Sequence, residues 1–181
     1  MYDRTVKHCR ACGTAVALRV PDDGDTRERA VCPACGTVHY VNPLVVVGTV
    51  PYLGDRVLLC RRAIEPRRGK WTLPAGFMEL GETMAQGAAR ETAEEAGAEV
   101  EMGAFFSAMS VPRVGQVHVF YLARLLHDRF DPGTESLEAR LFGESEVPWS
   151  EIAFTTVRET LRRYFDDRRR GAFAVHDVDI A

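Results

Sequence analysis

Gly76-Phe77-Met78-Glu79-Leu80-Gly81-Glu82-Thr83-Met84-Ala85-Gln86-Gly87-Ala88-Ala89-Arg90-Glu91-Thr92-Ala93-Glu94-Glu95-Ala96-Gly97-Ala98 is the stretch on which the reading of this chain turns. Thr83 and Gln86 form a capping-box pair. Residues 84–96 are rich in Ala, Glu, Gln and Met, and Gly97 offers a left-handed stop, so the spacing predicts a helix over 84–96. On a helix Glu94 falls about 60° to one side of Glu91 and Glu95 about 40° to the other, so the three carboxylates share a face. Ala85, Ala89, Thr92, Ala93 and Ala96 form a small, flat opposite face, expected to pack on a sheet, while Gly87 adds no bulk on the acidic side. Like charges at i,i+4 weaken a helix. The acids also lie toward its C-terminus, where the dipole disfavours them. Local stability therefore does not account for the cluster. A hard divalent cation does, since Mg²⁺ and Mn²⁺ prefer carboxylate oxygen together with phosphate and water. The other reading is a solvated acidic face paired with arginines.

The spacing decides between them. Gly76, five residues, Glu82, seven residues, Arg90-Glu91, two residues, Glu94-Glu95, one residue, Gly97 resembles the box of the Nudix hydrolases at every charged and glycine position. Thr92 and Ala98 fill two slots that are usually more apolar. The approach Trp71-Thr72-Leu73-Pro74-Ala75-Gly76 is also similar to that family's. The resemblance implies an α/β class fold, a Nudix α/β/α sandwich with a mixed sheet, and Mg²⁺- or Mn²⁺-dependent hydrolysis of a diphosphate joined to another moiety. It implies that Glu91, Glu94 and Glu95 are metal ligands or the base that activates water, and that Gly76 lends its carbonyl to a metal. Arg90 and Glu82 would hold the helix and its loop by ion pairs. Family members differ in the base, so Glu135 and Glu138 are candidates for a further ligand or base.

Cys9-Arg10-Ala11-Cys12 and Cys32-Pro33-Ala34-Cys35, each followed by glycine, carry a second motif. Two C-x-x-C knuckles supply four soft thiolates, which suits a closed, structural zinc site. Two disulfides, or unrelated thiols, are the other readings; a chain with no apolar leader, taken as cytosolic, argues against disulfides. His8 and His39 stand beside the knuckles as surplus neighbours. The spacer Pro21–Arg29 is polar and offers almost nothing to bury, so a module of this size needs a metal. Runs 14–20 and 37–41 read as its strands, and Cys60 reads as a small buried hydrophobe.

Beyond Asn42-Pro43, Leu44–Val50 reads as a buried strand, Gly54-Asp55 as a turn and Arg56–Cys60 as the returning strand. Trp71–Gly76 is extended and breaks at Gly76. Strands are expected at 105–109, 116–126 and 137–142. A second helix begins near Thr156, with Glu159 three residues on, and runs to Arg170 before Gly171. The expected organisation is a zinc ribbon over 1–42, a Nudix hydrolase domain over 43–171 and a C-terminal tail over 172–181. Among 181 residues, 46% are apolar and 27% charged, values that exclude wholesale disorder. No apolar run reaches the ~20 residues of a membrane span. The net charge of −3 argues against a general nucleic-acid binder. Arg4, Lys7, Arg10, Arg19, Arg27 and Arg29 lie in the ribbon, offset by Asp22, Asp23, Asp25 and Glu28.

The resemblance also bears on substrate. Zinc-ribbon relatives include NADH pyrophosphatases, which carry Ser-Gln-Pro-Trp-Pro after the box. Here Ser107-Ala108-Met109-Ser110-Val111-Pro112-Arg113 lacks the tryptophan and the paired prolines. FAD and ADP-ribose pyrophosphatases are more similar, through Tyr40-Val41-Asn42-Pro43, Pro132-Gly133-Thr134-Glu135-Ser136-Leu137-Glu138 and Val147-Pro148-Trp149. The expected reaction is FAD to FMN and AMP, or ADP-ribose to AMP and ribose 5-phosphate. NADH, or NAD-capped RNA, is the alternative substrate, and a non-enzymic ligand-binding module the third reading. Arg61, Arg62, Arg67 and Arg68 are candidates for phosphate contacts, and Phe105, Phe106 and Tyr52 for ring stacking. Exposed strand edges suggest a homodimer.

Overall fold

The computed structural model describes residues 5–180, so Arg4 of the basic set and Ala181 of the tail lie outside the described residues. The chain divides into two compact units, Met1–Pro43 and Leu44–Ala181. The first is a three-stranded antiparallel sheet in the order β1 (Ala17–Arg19), β2 (Arg29–Val31), β3 (Val38–His39). Its central strand falls in a segment whose sequence shows only a polar spacer. Three residues are too few for a visible alternation, yet Ala30 and Val31 are buried. The spacer is folded by its own acids. Asp25 accepts from Arg29 Nε at 2.7 Å and Arg27 N at 3.0 Å, and Asp23 accepts from Tyr40 at 3.0 Å. Leu18, Val20, Tyr40 and Val41 stay exposed, so this unit buries little beyond Pro21, Ala30, Val31, His39 and two cysteines.

The second unit is built on β4 (Leu44–Leu53) and β5 (Arg56–Arg62), joined by the Gly54-Asp55 turn. They pair only beside that turn, at Tyr52↔Val57 and Leu53↔Arg56. Beyond it they part, and two short strands fill the gap: β6 (Trp71–Thr72) pairs with β5, and β7 (Ala75–Phe77) pairs with β4. Gly76 thus lies inside a strand instead of ending one. Gly48 makes the insertion possible, because a β-carbon there would stand 2.4 Å from that of Ala75. The helix α1 (Met84–Ala96) follows, with Thr83 and Gln86 closing the capping box and Gly97 at φ 58°.

The sheet is completed by β8 (Val100–Val111), β9 (Gln116–Leu125) and β10 (Ser136–Phe142), and is covered on its other face by α2 (Thr155–Arg170). A final strand, β11 (His176–Asp179), gives the order β10-β5-β4-β9-β8-β11. Alternation along the strands separates two cores. Val50, Val57, Leu59, Phe120 and Leu122 face α2, and Val47, Val119, Leu58, Cys60 and Leu125 face α1. No helix is long and apolar enough to cross a membrane among the described residues.

One expectation is corrected here, and the second helix is found where it was expected, without the cap. Residues 172–181 are not merely a tail, since β11 pairs in parallel with β8 from His176↔Ser107 to Asp179↔Ser110. Its half-buried and exposed residues alternate over only four positions, too short a pattern to read. The second helix starts at Thr155 with Phe154 at its cap and no side-chain cap bond. Thr156 lies inside the first turn, and its hydroxyl bonds His118 Nδ1 at 3.0 Å.

Candidate functional site

The wedge of β7 against β4 decides where the box residues meet. Val47 pairs with Gly76 and Gly48 with Ala75, so β7 runs beside the strand on which α1 lies. The buried face of α1 is Gly87, Ala88, Thr92, Glu95 and Ala96. This corrects the expected face: Ala93 is exposed, and Ala85 and Ala89 are only half-buried. The helix is rotated so that its acidic edge, and not only its alanine face, meets the sheet. Gly87 allows that rotation, because a β-carbon there would stand 2.8 Å from Val47 Cγ2 and 2.5 Å from Glu82 Oε1.

Three carboxylates consequently sit at different depths. Glu94 is exposed, Glu91 half-buried, and Glu95 only 6% exposed. Glu95 accepts a hydrogen bond from the Ala75 amide at 3.1 Å. Burial pushes its pKa up to about 8 in spite of that bond, and the Glu91 charge pushes in the same direction. Burial raises Glu91 as well, against the Arg90 guanidinium that lowers it. Gly76 packs so closely on Glu91 that a β-carbon would lie 2.3 Å from its carboxylate. Arg90 organises the group. It binds Glu82 through Nε at 3.1 Å and Nη2 at 2.9 Å, Glu91 at 2.8 Å, Glu94 at 3.1 Å and the Phe77 carbonyl at 3.2 Å. Glu82 in turn accepts from the Glu79 amide at 2.7 Å, which ties the preceding loop to the same guanidinium.

The loop before β10 closes the C-terminal end of α1. A β-carbon on Gly133 would stand 2.0 Å from the Glu94 carbonyl, and one on Gly97 would stand 2.2 Å from the Asp131 carbonyl. That contact brings in Glu135, whose charge raises the pKa of both Glu91 and Glu95. Glu138 is not brought in. It is in phase with Phe142, which packs in the α2-side core, so it lies on the sheet face away from α1. Arg62 acts on the site electrostatically, lowering Glu95, while Arg61 turns to the Gly69 carbonyl at 3.0 Å. Among the ring candidates, Phe106 is corrected: it is fully buried against Tyr164 and cannot stack on a ligand. Phe105 is half-buried and meets Tyr121 edge-on, and Tyr52 packs on Tyr164. Arg67 and Arg68 are exposed in the β5–β6 loop. The contributions of Ala75 and Phe77 escaped the sequence because both act through the backbone.

The chemistry of the donor set fits a divalent cation. Buried Glu95, half-buried Glu91 and exposed Glu94 crowd along one edge of α1 beside β7, Glu91 against Gly76 and Glu95 on the Ala75 amide, with the Arg90 guanidinium paired to Glu91 and Glu94. A side chain at Gly76 would fill the cradle. A cation among these oxygens relieves both the burial and the mutual repulsion that raise Glu91 and Glu95.

In the N-terminal unit the four cysteine sulfurs lie within 4.8 Å of one another. Cys9–Cys35, Cys12–Cys32 and Cys12–Cys35 are 3.7, 3.4 and 3.6 Å apart. A zinc tetrathiolate with ~2.3 Å bonds has sulfurs about 3.8 Å apart, so the cluster fits that ion. The two knuckles repeat one another: Gly13 N bonds Cys9 O as Gly36 N bonds Cys32 O, with both glycines at positive φ. Thr37 lowers Cys35 to about 6 by its side-chain hydrogen bond, favouring the thiolate a metal needs. His8 and His39 are not in the cluster.

Comparisons with known proteins agree with this geometry. The NUDIX domain family model matches residues 42–167, and a Nudix N-terminal zinc-ribbon model matches residues 7–41. A NUDIX hydrolase from Nitrosomonas europaea has a solved structure that is 51% identical, with a TM-score of 0.90 over 97% of this chain and 100% of that one. The NAD-capped RNA hydrolase NudC of Photobacterium profundum is 29% identical over 87% of this chain. An ADP-ribose pyrophosphatase of Methanocaldococcus jannaschii is 27% identical over 60% of this chain and 67% of its own length. This chain spans 59% of the Photobacterium protein and 57% of a NudC from Deinococcus radiodurans that is 30% identical over 88% of this chain.

Proposed function

The chain belongs to the Nudix family, and from that membership we propose that it is a metal-dependent hydrolase of dinucleotide diphosphates, with FAD or ADP-ribose as substrate. The observation that carries the reading is the cradle beside β7, where half-buried Glu91 packs on Gly76, which has no side chain, and buried Glu95 accepts from the neighbouring Ala75 amide. Glu91, Glu94, Glu95 and the Gly76 carbonyl would hold Mg²⁺ or Mn²⁺, which when bound neutralises charge on the diphosphate oxygens. Arg90 keeps Glu91 and Glu94 in place and leaves the chemistry to them. Glu135 accepts the proton of the attacking water. The water oxygen bonds to one phosphorus, the P–O–P bridge breaks, and the bridging oxygen leaves on the other phosphate. Arg62 contacts a phosphate oxygen. Zinc on Cys9, Cys12, Cys32 and Cys35 is structural, since four thiolates leave no open position.

The second reading, cleavage of NADH or of an NAD-capped RNA end, is favoured by relatives that bear the latter name. Against it stands the end of β8, where Ser110-Val111-Pro112-Arg113 enters a short 3₁₀ turn without the tryptophan and paired prolines of the NADH-cleaving relatives. The test is product chromatography after incubation with Mg²⁺ or Mn²⁺ and FAD, ADP-ribose, NADH, NAD⁺ or NAD-capped RNA. FMN plus AMP from FAD, or AMP from ADP-ribose, faster than NADH cleavage supports the first reading; preferred cleavage of NADH or the capped end supports the second. Glu94→Gln and Glu95→Gln should each lower kcat at least about a hundredfold with the fold intact. Near-normal turnover in both overturns the metal assignment.

A further inference from the structure

The cradle is made by two separate pieces of chain. β7 brings Gly76 and the Ala75 amide, and α1 brings Glu91 and Glu95. Both are fastened to one residue of β4. The Thr49 amide donates to the Pro74 carbonyl at 3.2 Å, next to the Gly48↔Ala75 and Val47↔Gly76 pairs. The Thr49 hydroxyl lies 2.7 Å from that of Thr92, and both residues are fully buried. Direction follows from counting protons. The single hydroxyl proton of Thr92 is donated to the Ala88 carbonyl at 2.8 Å. Thr49 must therefore donate to Thr92 Oγ1, completing a chain from β4 into the backbone of α1.

Toward β7 the helix is held by Glu95, which accepts from the Ala75 amide, and by Arg90, which donates to the Phe77 carbonyl; toward β4 the rest of its buried face is smooth. Gly87, Ala88 and Ala96 carry nothing that fixes the helix along its axis. Among the described residues the Thr49–Thr92 pair is the one hydrogen bond joining α1 to β4. A slip of one residue would shift the helix by about 1.5 Å and turn it by about 100°. That would carry Glu95 away from the Ala75 amide and Glu91 away from Gly76.

We propose that Thr49, acting through Thr92, is a positioning residue that sets the register of α1 against β7 and so the spacing of Glu91 and Glu95 for the divalent cation. The proposal rests on the metal-site reading above. Its test is Mn²⁺ titration of the purified full chain by electron paramagnetic resonance, with kcat and KM measured on the dinucleotide that turns over best. Thr49→Val keeps shape and deletes the donor. It should weaken Mn²⁺ binding and lower kcat by about tenfold each, while KM for the dinucleotide stays within about twofold. Thr49→Ser should restore both. The double variant Thr49→Val/Thr92→Val leaves no buried hydroxyl without a donor, so it should match the parent in thermal stability and still bind Mn²⁺ poorly. Parent-like Mn²⁺ binding in Thr49→Val, or in a stable double variant, overturns the proposal. Glu95→Gln is the control: if it too binds Mn²⁺ normally, the metal-site reading has failed, and if it alone loses Mn²⁺, only the role of Thr49 has.

Discussion

Gly76 shows how one missing side chain can be a functional group. Its φ is not in the left-handed region, so it is not there for backbone freedom. It is there because the Glu91 carboxylate occupies the place of a β-carbon, 2.3 Å from where that atom would sit. Gly76→Ala should thus displace Glu91 instead of straining β7. Expected is a fall in kcat of about a hundredfold or more, with a stability loss under about 1.5 kcal/mol, because the displaced carboxylate can swing toward solvent. Steady-state kinetics and urea unfolding check the two halves. A large stability loss with normal turnover would mean that the glycine serves packing alone. Arg90 works the other way, as one side chain that serves four carbonyl or carboxylate groups, so Arg90→Lys keeps the charge and loses the fork.

Among the elements, α1 was legible almost to the residue, because its capping box, its alanine-rich body and its glycine stop are all local chemistry. Its rotation was not. Which face meets the sheet depends on the close approach of Gly87 to Val47, a contact between residues far apart in the chain. The same limit hid β11 and the central strand of the ribbon, each only a few residues long. It also placed Phe106 among ring-stacking candidates, although its strand turns it into the α2-side core. The ribbon's cysteines were readable because their spacing is itself the geometry. That unit buries so few apolar side chains that its fold should depend on the ion. Release of zinc by a thiol-blocking reagent should remove hydrogen-exchange protection from β1, β2 and β3 and leave β4, β5 and β9 protected. One zinc per chain in the untreated protein, by elemental analysis, is the companion measurement. Protection that survives zinc loss would show that the hydrogen-bonded Asp23–Asp25 turn holds the ribbon unaided.

At the scale of the whole molecule, the Leu44–Ala181 unit holds a proton-sensitive joint between sheet and helix. His118 on β9 lies 3.0 Å from the Thr156 hydroxyl of α2 and 2.9 Å from Gln116 Oε1. The Gln116 oxygen can only accept, so Nε2 carries the proton and Nδ1 accepts from Thr156. Burial lowers the His118 pKa to about 4, below the ordinary value of 6.5. Below pH 6.5 the unfolded chain therefore takes up a proton that the folded chain refuses, and stability falls as the pH drops. The slope is about 1.4 kcal/mol per pH unit until the folded imidazole titrates near pH 4, a total of about 3 kcal/mol. Carboxylates contribute their own slope over the same range, so the informative quantity is the parent minus His118→Gln. Both tryptophans, Trp71 and Trp149, lie in this unit, so their fluorescence follows its unfolding without interference from the ribbon. Between pH 7 and pH 5 the parent should lose about 2 kcal/mol more than the variant in urea. Equal losses would mean that the Thr156 hydroxyl reverses to accept from a charged imidazole, and that the joint is indifferent to the proton.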